Sequence, residues 1–505
     1  MAEGSLRRAL EAQDRKDHQA ALDFFRQALA DEPSNWVGHV GLGNSLRALG
    51  QLDAAIAACT RGVEVSGQSV PAWTQLGFAY QAKGLFTEAR LCLGRACHLQ
   101  PDNADALANL AALELAAENH DAAESAARRA LSLAPAHVRA AIHLGRARKE
   151  QGAFGEAIAL YQRALAVEPE NTDAAWNLGL VLLQEGRWTE GWPLHELRSA
   201  IPGPPTSAPG LPLWDGRPLG GATVLVQAEK GFGDTIQFAR YLRLLKTTAG
   251  AGRVVFECQP ALEQLLRGCA AVDEVVARGA PLPPVDVRVP MMSLPLRLGA
   301  FDPAATATAR YLDVSEDRLA SWKAQLRGRR QRQRHHRAGA PAIGIAWQGN
   351  PAYLADRRRS IGLASLAPVL RQARALGMPV FSLQKGAGSE QLRDLPNDLA
   401  GAVDDLGPSL DGGTMNGAFV DTAAVVANLD LVISSDTAVP HLAGALGAPT
   451  WLLLARLPDW RWGQHGEQTP WYPSVRVFRQ REAGDWQGVV DDVCAALDSM
   501  ERNRA

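Results

Sequence analysis

Small apolar side chains recur every 34 residues through roughly the first 190 positions of the chain. One register holds Ala21, Ala55, Ala89, Ala123 and Ala157, and a second register holds Gly50, Gly84, Gly152 and Gly186. Paired helices need small residues where their backbones approach, and glycine is favoured just after a helix ends. The pattern therefore predicts a helix–turn–helix unit that is repeated about five times.

A two-helix unit of 34 residues is the signature of the tetratricopeptide (TPR) repeat, and this region resembles that family. Prolines keep the same register at Pro33, Pro101, Pro135 and Pro169, and Gly67 stands at the missing position. TPR units stack into a superhelix whose concave face binds an extended peptide or a partner helix. The resemblance thus implies an α-helical TPR solenoid over residues 1–200 with a protein-binding groove.

A polar register lies six residues into successive units, at Gln75, Asn109, His143 and Asn177. Side chains at such a regular rise can hydrogen-bond the backbone of an extended peptide without reading its side chains. This register resembles the asparagine ladder in the TPR groove of O-GlcNAc transferases, which implies a peptide-binding role for these four positions. Two of the four are not asparagine, and ordinary polar positions on a helix surface are the alternative.

After residue 220 short β-branched runs alternate with helical stretches, which is typical of parallel sheets. Proline and glycine accumulate over residues 201–220 and predict a linker there. A basic run, Arg327–Arg337, separates two sets of predicted strands and is interpreted as a solvated linker over residues 326–340. The chain is therefore predicted to continue as two α/β lobes, 221–325 and 341–505. The predicted strands are Ala222–Ala228, Arg253–Glu257 and Asp286–Val289 in the first lobe, and Ala342–Trp347, Met378–Leu383, Asp430–Ser434, Pro449–Leu454 and Ser474–Arg479 in the second.

Composition argues against several classes of function. The 505 residues carry a formal net charge of −2, which gives no reason to expect a nucleic-acid partner. No apolar run reaches the roughly 18 residues of a membrane span, and the N-terminus lacks the apolar core of a signal peptide. The six cysteines are scattered without metal-ligand spacing and are interpreted as reduced thiols. We therefore expect a cytoplasmic protein without a bound metal or cofactor.

Two motifs directly follow predicted strands, at the edge where open parallel sheets bind their ligands. In the first motif Gly233 allows close approach of a ligand to the backbone, and Asp234 lies at the start of a helix. In the second motif a helix begins around Asp436 or Thr437, and His441 follows about one turn later. The N–H groups and the dipole at such a helix start attract anions, including a nucleotide diphosphate. A capping aspartate and a core histidine are the alternatives.

The string DTAVPHLAGALGAP, which begins at Asp436, is similar to the nucleotide-sugar motif of bacterial heptosyltransferases. With the TPR array, the whole chain resembles bacterial TPR-fused glycosyltransferases, some of which modify flagellin. The resemblance implies a GT-B fold, in which two Rossmann-like lobes enclose the active site. It also implies that Asp234 is the general base, and that the donor site includes Gly233, Asp436, Thr437 and His441.

Further donor-binding residues are expected between the two motifs. Heptosyltransferases have a lysine near this place, where the present chain has Arg358 and Arg359, and the resemblance does not distinguish between the two. Either guanidinium would hold a phosphate through bidentate, charge-assisted hydrogen bonds, with a solvated basic turn as the alternative. Gln384 and Lys385 follow the next strand and are predicted to contact the ribose or the base.

The predicted function is transfer of a sugar from a nucleotide-sugar donor to a protein hydroxyl, with inversion and without a metal ion. The TPR groove is predicted to recruit the acceptor, and the resemblance points to flagellin as one acceptor. Two alternatives stay open: a heptosyltransferase-like enzyme that acts on a non-protein acceptor, and a non-catalytic TPR scaffold that senses a nucleotide sugar. The donor nucleotide stays open among UDP, ADP, GDP and CMP.

Overall fold

The computed structural model describes residues 2–200, 207–308, 310–333, 336–353, 356–413 and 417–503, and the chain forms two compact units, Met1–Leu182 and Leu183–Ala505. The first unit is built from helices that pack pairwise along the chain. They are α1 (Ala2–Asp14), α2 (His18–Asp31), α3 (Trp36–Ala48), α4 (Leu52–Val65), α5 (Val70–Ala82), α6 (Phe86–Leu99), α7 (Ala104–Ala116), α8 (His120–Leu133), α9 (Val138–Glu150), α10 (Phe154–Val167) and α11 (Thr172–Gln184).

The helix boundaries follow from capping residues that also repeat every 34 positions. A side chain accepts a backbone N–H three residues further on at Asn35, Ser69, Asn103, His137 and Asn171. The predicted turn glycines all have positive φ, between 71° and 80°. Where that register has no glycine, Glu118 still adopts a φ of 61°. The repeat is therefore enforced locally at both ends of its first helix.

The small residues of the repeat lie where the two helices of one unit cross. The alanines of the first register, from Ala21 to Ala157, are fully buried. A Cβ added to Gly43 would lie 2.3 Å from Cys59 Sγ and 3.1 Å from the backbone oxygen of Ala55. The backbones of α3 and α4 therefore approach too closely for any side chain at this position.

Gly43→Ala is expected to destabilise the first unit by about 1–3 kcal/mol, because its methyl group would overlap Cys59 and the backbone of α4. Gly94→Ala, in α6, is the matched control. A Cβ there meets nothing within 4 Å, so the helix should gain about 0.5–1 kcal/mol. Urea unfolding of the full chain, followed by far-ultraviolet circular dichroism, measures both changes. Equal stability of the two variants would contradict this account of the crossing point.

The second unit contains two parallel sheets. The first has the order β3-β2-β1-β4 and the second has the order β10-β9-β8-β5-β6-β7, with parallel pairing throughout. Their strands are β1 (Thr223–Gln227), β2 (Arg253–Cys258), β3 (Glu274–Ala277), β4 (Val287–Pro290), β5 (Ile343–Ala346), β6 (Val380–Ser382), β7 (Val403–Asp405), β8 (Leu431–Ser435), β9 (Thr450–Leu454) and β10 (Val475–Arg479).

The helices of the second unit connect these strands and cover the sheets. They are α12 (Trp188–His195), α13 (Phe232–Phe238), α14 (Leu242–Thr247), α15 (Glu263–Leu266), α16 (Leu294–Arg297), α17 (Pro303–Thr306), α18 (Glu316–Arg332), α19 (Asp356–Arg359), α20 (Ala367–Ala375), α21 (Val420–Val426), α22 (Ala438–Ala445) and α23 (Trp486–Arg502). The apolar side chains of β5, β6, β8 and β9 pack against several of them to form the core of the second lobe.

The strand order locates the edge where a ligand would bind. In the second sheet the chain runs outward from β5 through β6 and β7, then returns to β8 on the other side of β5. This is the doubly wound order, in which ligands bind beyond the carboxyl ends of the strands at the point of reversal, here between β5 and β8. The first sheet reverses in the same way between β1 and β4. Both lobes therefore have a crevice at the end of their first strand.

The linker predicted over residues 326–340 is wrong in its first part. Its residues up to Arg332 belong to α18, because Trp322 and Leu326 are buried in the core of the second lobe. Arg329 donates to Asp404 at 2.7 Å, so the basic run is partly neutralised on the surface of that lobe. Arg334 and His335 lie outside the described residues.

The boundary predicted at residue 200 also differs from the observed one, because α12 belongs to the second unit. Within that unit Trp192 donates through Nε1 to the backbone oxygen of Phe301 at 3.0 Å, and its ring contacts that of Trp460. Of the predicted linker 201–220, residues 201–206 lie outside the described residues. Residues 207–220 pack on the first lobe: Trp214 is buried there, and its backbone N–H donates to the backbone oxygen of Arg288. Burial of the two tryptophans explains both differences.

Candidate functional site

The helices of the two predicted motifs, α13 and α22, contact each other across the lobes. Each helix follows a strand that flanks a point of reversal, β1 in one lobe and β8 in the other. A Cβ added to Gly233 would lie 2.9 Å from His441 Cδ2 and 3.7 Å from Ala438 Cα. Glycine at position 233 therefore allows the first turn of α13 to pack directly on the first turn of α22. The contact brings residues of both motifs together.

The carboxylate of Asp234 is engaged on both oxygens. Oδ2 accepts the backbone N–H of Gly231 at 2.9 Å, which completes the capping arrangement at the start of α13. Oδ1 accepts a hydrogen bond from Arg461 of the second lobe. Asp234 thus caps its own helix, as the capping alternative predicts, and also forms an ion pair with a residue of the other lobe.

Arg461 is a candidate site residue that sequence reasoning missed. It lies in the 3-10 turn Trp460–Trp462, in the loop after β9. Its Nη1 donates to Asp459 Oδ1 at 2.6 Å, and its guanidinium lies 4.5 Å from the centre of the Trp460 ring. Although burial acts in the opposite direction, the carboxylates of Asp234 and Asp459 raise the pKa of Arg461, which stays charged. The sequence held two signals, its place after a predicted strand and the string DWRWG, which is one of those that resemble TPR-fused glycosyltransferases, but neither predicted a role for Arg461.

Asp436 lies buried at the end of β8, where Trp462 Nε1 donates to its Oδ1 at 2.8 Å. Burial, helped by the negative charge of Asp459, raises the pKa of Asp436 from its usual 3.8 to about 6. Arg359, the Trp462 hydrogen bond and Arg461 act in the opposite direction but do not cancel the rise. The carboxyl group is therefore close to titration at neutral pH, which is typical of functional sites.

The ring of His441 is held on two sides in the interior. Its Nδ1 lies 3.0 Å from the Tyr472 hydroxyl oxygen, and its face stacks on Trp462 with ring centres 4.7 Å apart. Burial, together with the positive charges of Arg461 and Arg240, lowers the pKa of His441 well below the usual 6.5. The imidazole is therefore neutral at neutral pH and acts as a dipole or a hydrogen-bonding group rather than as a cation.

Thr437 is the N-cap of α22, as the sequence predicted for this position or its neighbour. Its hydroxyl oxygen accepts the N–H of Val439 at 3.2 Å. Pro440 lies in the first turn, where it is tolerated because the N–H groups there have no partner within the helix. The first turn of α22 thus presents an N-terminal dipole to the crevice beyond β5 and β8.

The structure distinguishes the two candidate arginines. Arg359 is half-buried, lies over the ring of Tyr353 and donates from Nε to Asp356 at 3.2 Å. Its charge lowers the pKa values of both Asp436 and His441, so it lies within electrostatic range of the second motif. Arg358 is exposed. Arg359 is therefore the better candidate for a phosphate-binding cation.

Gln384 and Lys385 lie at the carboxyl end of β6, as predicted, but their side chains contact the protein. The buried Gln384 amide accepts the N–H groups of Trp347 and Gln348, both at 3.1 Å, and donates to two backbone oxygens. Lys385 Nζ lies 3.4 Å from Asp411 Oδ2. The Gln384 amide thus holds the loop after β5, whereas Lys385 lines a cavity beside the strand ends.

The predicted ladder residues all lie on the first helices of their repeats, α5, α7, α9 and α11, and they differ in their contacts. Asn109 Oδ1 accepts from Arg139 at 3.2 Å, and Asn177 Nδ2 donates to the backbone of Asp173 at 2.8 Å. Gln75 Oε1 and His143 Nδ1 are buried and have no hydrogen-bond partner among the described residues. Burial, with Arg146 and Arg139 nearby, lowers the pKa of His143 to about 4. The four positions therefore do not form a uniform row: two carry a buried polar atom without a partner among the described residues, and two are hydrogen-bonded.

Among the described residues no group of three or more histidine, cysteine, aspartate or glutamate side chains is arranged to hold a metal ion. Over the same residues, every helix is too short or too polar to cross a membrane.

Comparison with protein families identifies the repeats. Tetratricopeptide-repeat family models match residues 12–77, 74–138 and 145–186. The chain is thus a TPR-containing protein whose second unit has the α/β architecture described above.

Among curated proteins, Protein FlbA of Caulobacter vibrioides (strain ATCC 19089 / CIP 103742 / CB 15) is 28% identical over 307 residues, which cover 56% of this chain and 48% of FlbA. The present chain therefore spans about half the length of this relative. Because the first unit ends at Leu182 of 505 residues, a match to 56% of the chain extends into the second unit.

Two solved structures resemble part of the chain. A thermophilic TPR protein of Thermus thermophilus is 22% identical and covers 36% of this chain and 100% of its own, with a TM-score of 0.33. PilF of Pseudomonas aeruginosa is 15% identical, and the match covers 40% of this chain and 92% of PilF, with a TM-score of 0.35.

Proposed function

We propose that the protein is an inverting, metal-independent glycosyltransferase of the GT-B type, which moves a sugar from a nucleotide-sugar donor to a hydroxyl group of a protein. One observation carries the proposal: Asp234 of one lobe and Asp436 and His441 of the other converge where the first turns of α13 and α22 meet. In doubly wound sheets this edge binds ligands. The sequence resemblance supplies the reaction type.

In the proposed reaction Asp234 takes the proton of the acceptor hydroxyl as its oxygen attacks the anomeric carbon. The bond between that carbon and the leaving phosphate oxygen breaks, and the nucleotide departs with the electron pair. The dipole of α22 and the charge of Arg359 stabilise the leaving phosphate electrostatically. The neutral ring of His441 lies beside this path and can hydrogen-bond the donor through Nε2.

The proposed acceptor is a protein, recruited by the TPR unit, and flagellin is one candidate. The tetratricopeptide repeats support a peptide-binding groove. Gln75, Asn109, His143 and Asn177 occupy the same position on successive first helices, at the spacing of the repeat.

The test is a thermal-shift measurement of the full chain with UDP, ADP, GDP and CMP. A nucleotide present at 100 times its dissociation constant should stabilise the folded protein by roughly 2.7 kcal/mol and raise its melting temperature. Arg359→Gln should reduce this shift, because the phosphate loses a cationic partner. Arg357→Gln, an exposed position on the same helix, is the matched control and should keep it. Absence of a shift with every nucleotide at millimolar concentration would overturn the proposal in favour of a TPR scaffold.

A further inference from the structure

Arg461 is paired with two carboxylates, and the proposed reaction gives this arginine no role. Its guanidinium contacts two carboxylates, Asp234 from the first lobe and Asp459 from its own loop. The side chains of Arg461 and Asp234 are only 13% and 19% exposed, so water screens their interaction weakly. An ion pair with this degree of burial holds the two lobes together through the residue proposed as the general base.

One nitrogen of the guanidinium has no hydrogen-bond partner in the part of the chain that the structure describes. Nε of Arg461 is buried and makes no hydrogen bond among the described residues, and the same holds for the hydroxyl of Ser435 at the end of β8. A buried N–H without an acceptor is unfavourable, and arginine can present Nε–H and one Nη–H together to a phosphate. The arrangement is therefore incomplete in a way that a bidentate anion would satisfy.

Arg461 also lies next to the proposed donor site. The adjacent residue, Trp462, donates to Asp436 and stacks on His441. The positive charge of Arg461 acts on both of these residues. The guanidinium thus contacts Asp234 and lies within electrostatic range of Asp436 and His441, beside the first turn of α22 where the donor phosphate is expected.

We propose that Arg461 is a ligand of the donor phosphate, and that a nucleoside diphosphate entering the site takes this guanidinium from Asp234. The inference rests on the proposed function and adds the order of events: the donor binds before Asp234 can act as the base. Without the donor, both oxygens of Asp234 are engaged, by Gly231 and by Arg461. With the donor bound, Arg461 pairs with the phosphate and Oδ1 of Asp234 becomes available to the acceptor hydroxyl. Donor binding thereby prepares the base.

Because Asp234 and the phosphate compete for one guanidinium, substitutions of Arg461 and Asp234 should change phosphate affinity in opposite directions. Arg461→Gln removes a phosphate ligand and should weaken binding of UDP, ADP, GDP or inorganic pyrophosphate by roughly tenfold or more. Asp234→Asn removes the competing charge and should strengthen binding of the same probes by several-fold to roughly tenfold. In the Arg461→Gln background, Asp234→Asn should have no further effect, because the coupling passes through Arg461.

Isothermal titration calorimetry of the full chain with pyrophosphate and the three nucleoside diphosphates measures these affinities. Arg476→Gln is the control: it is a half-exposed arginine on β10 that pairs with Glu467, and its substitution should leave binding unchanged. If the wild type binds a probe but Asp234→Asn does not bind it more tightly, the exchange of partners is overturned and the proposed function stands. If the wild type binds none of these probes, the exchange of partners is overturned, and the proposed function fails with it only if CMP also produces no thermal shift. The Asp234→Asn variant keeps the test valid even if Arg461→Gln does not fold, since asparagine can still accept the N–H of Gly231.

Discussion

Replacement of Asp234 by asparagine is expected to lower the rate of sugar transfer by about 10²–10⁴-fold. An amide oxygen can accept the N–H of Gly231, so α13 should keep its start, but it cannot take a proton from the acceptor. The fold and nucleotide binding should therefore survive while the chemical step is lost. The Gly231 contact at 2.9 Å is the reason for expecting a folded variant.

The measurement is single-turnover transfer from the sugar derivative of whichever nucleotide stabilises the protein, with purified flagellin as the trial acceptor and mass spectrometry as the readout. Slow donor hydrolysis without an acceptor is a second readout, because water then takes the place of the acceptor hydroxyl. Asp215→Asn is the control, since this carboxylate of the same lobe is 55% exposed and pairs with Arg217 at 3.2 Å. Transfer by Asp234→Asn within tenfold of the wild-type rate would show that Asp234 is not the base.

Asp436→Asn is expected to make the protein more stable at neutral pH while it impairs donor binding. The pKa of this carboxyl rises from 3.8 to about 6 on folding, mainly because it is buried. The folded state thus binds the proton more tightly than the unfolded state. The associated stabilisation is fully present below pH 3.8 and is lost as the pH rises through about 6. Such a rise corresponds to roughly 3 kcal/mol, which the wild type lacks at pH 7.5.

Asparagine has no charge to bury and can still accept the Trp462 hydrogen bond. The stability of the Asp436→Asn variant should therefore not depend on this titration. The variant should be the more stable protein at pH 7.5, and the difference should shrink below pH 6 and vanish near pH 4. Melting temperatures across this range test the sign, with the exposed Asp215→Asn variant as control. A stability difference that is independent of pH would mean that Asp436 does not titrate there. Proteins commonly lose some folding stability by burying a carboxylate that their function requires.

The repeat unit could be predicted almost completely from the sequence, because its determinants are local. Helix caps such as Asn35 and Asn103, turn residues with positive φ such as Gly84, and small crossing residues such as Gly43 act within one repeat. Each of them also recurs at a fixed spacing. Periodicity in the chain therefore corresponds directly to periodicity in space.

The α/β lobes were predictable only in their central strands. Buried strands such as β1, β5 and β8 are rich in apolar, β-branched residues and were predicted from that pattern. The strands β3 and β7 were missed, since both lie at sheet edges, are only partly buried and include acidic residues. The last part of α18, residues 326–332, was predicted as a linker because its arginines concealed the buried side chain of Leu326.

The sequence by itself determined the repeat, the positions of the central strands and the two motifs at their carboxyl ends. The tertiary structure alone decided which side chains meet there, because contacts between lobes are not encoded by local spacing. Arg461 reaches Asp234 across 227 residues of sequence, and in its own segment it looks like one basic residue among packing aromatics. Its role depends on the strand order of two sheets and on the close approach that Gly233 permits.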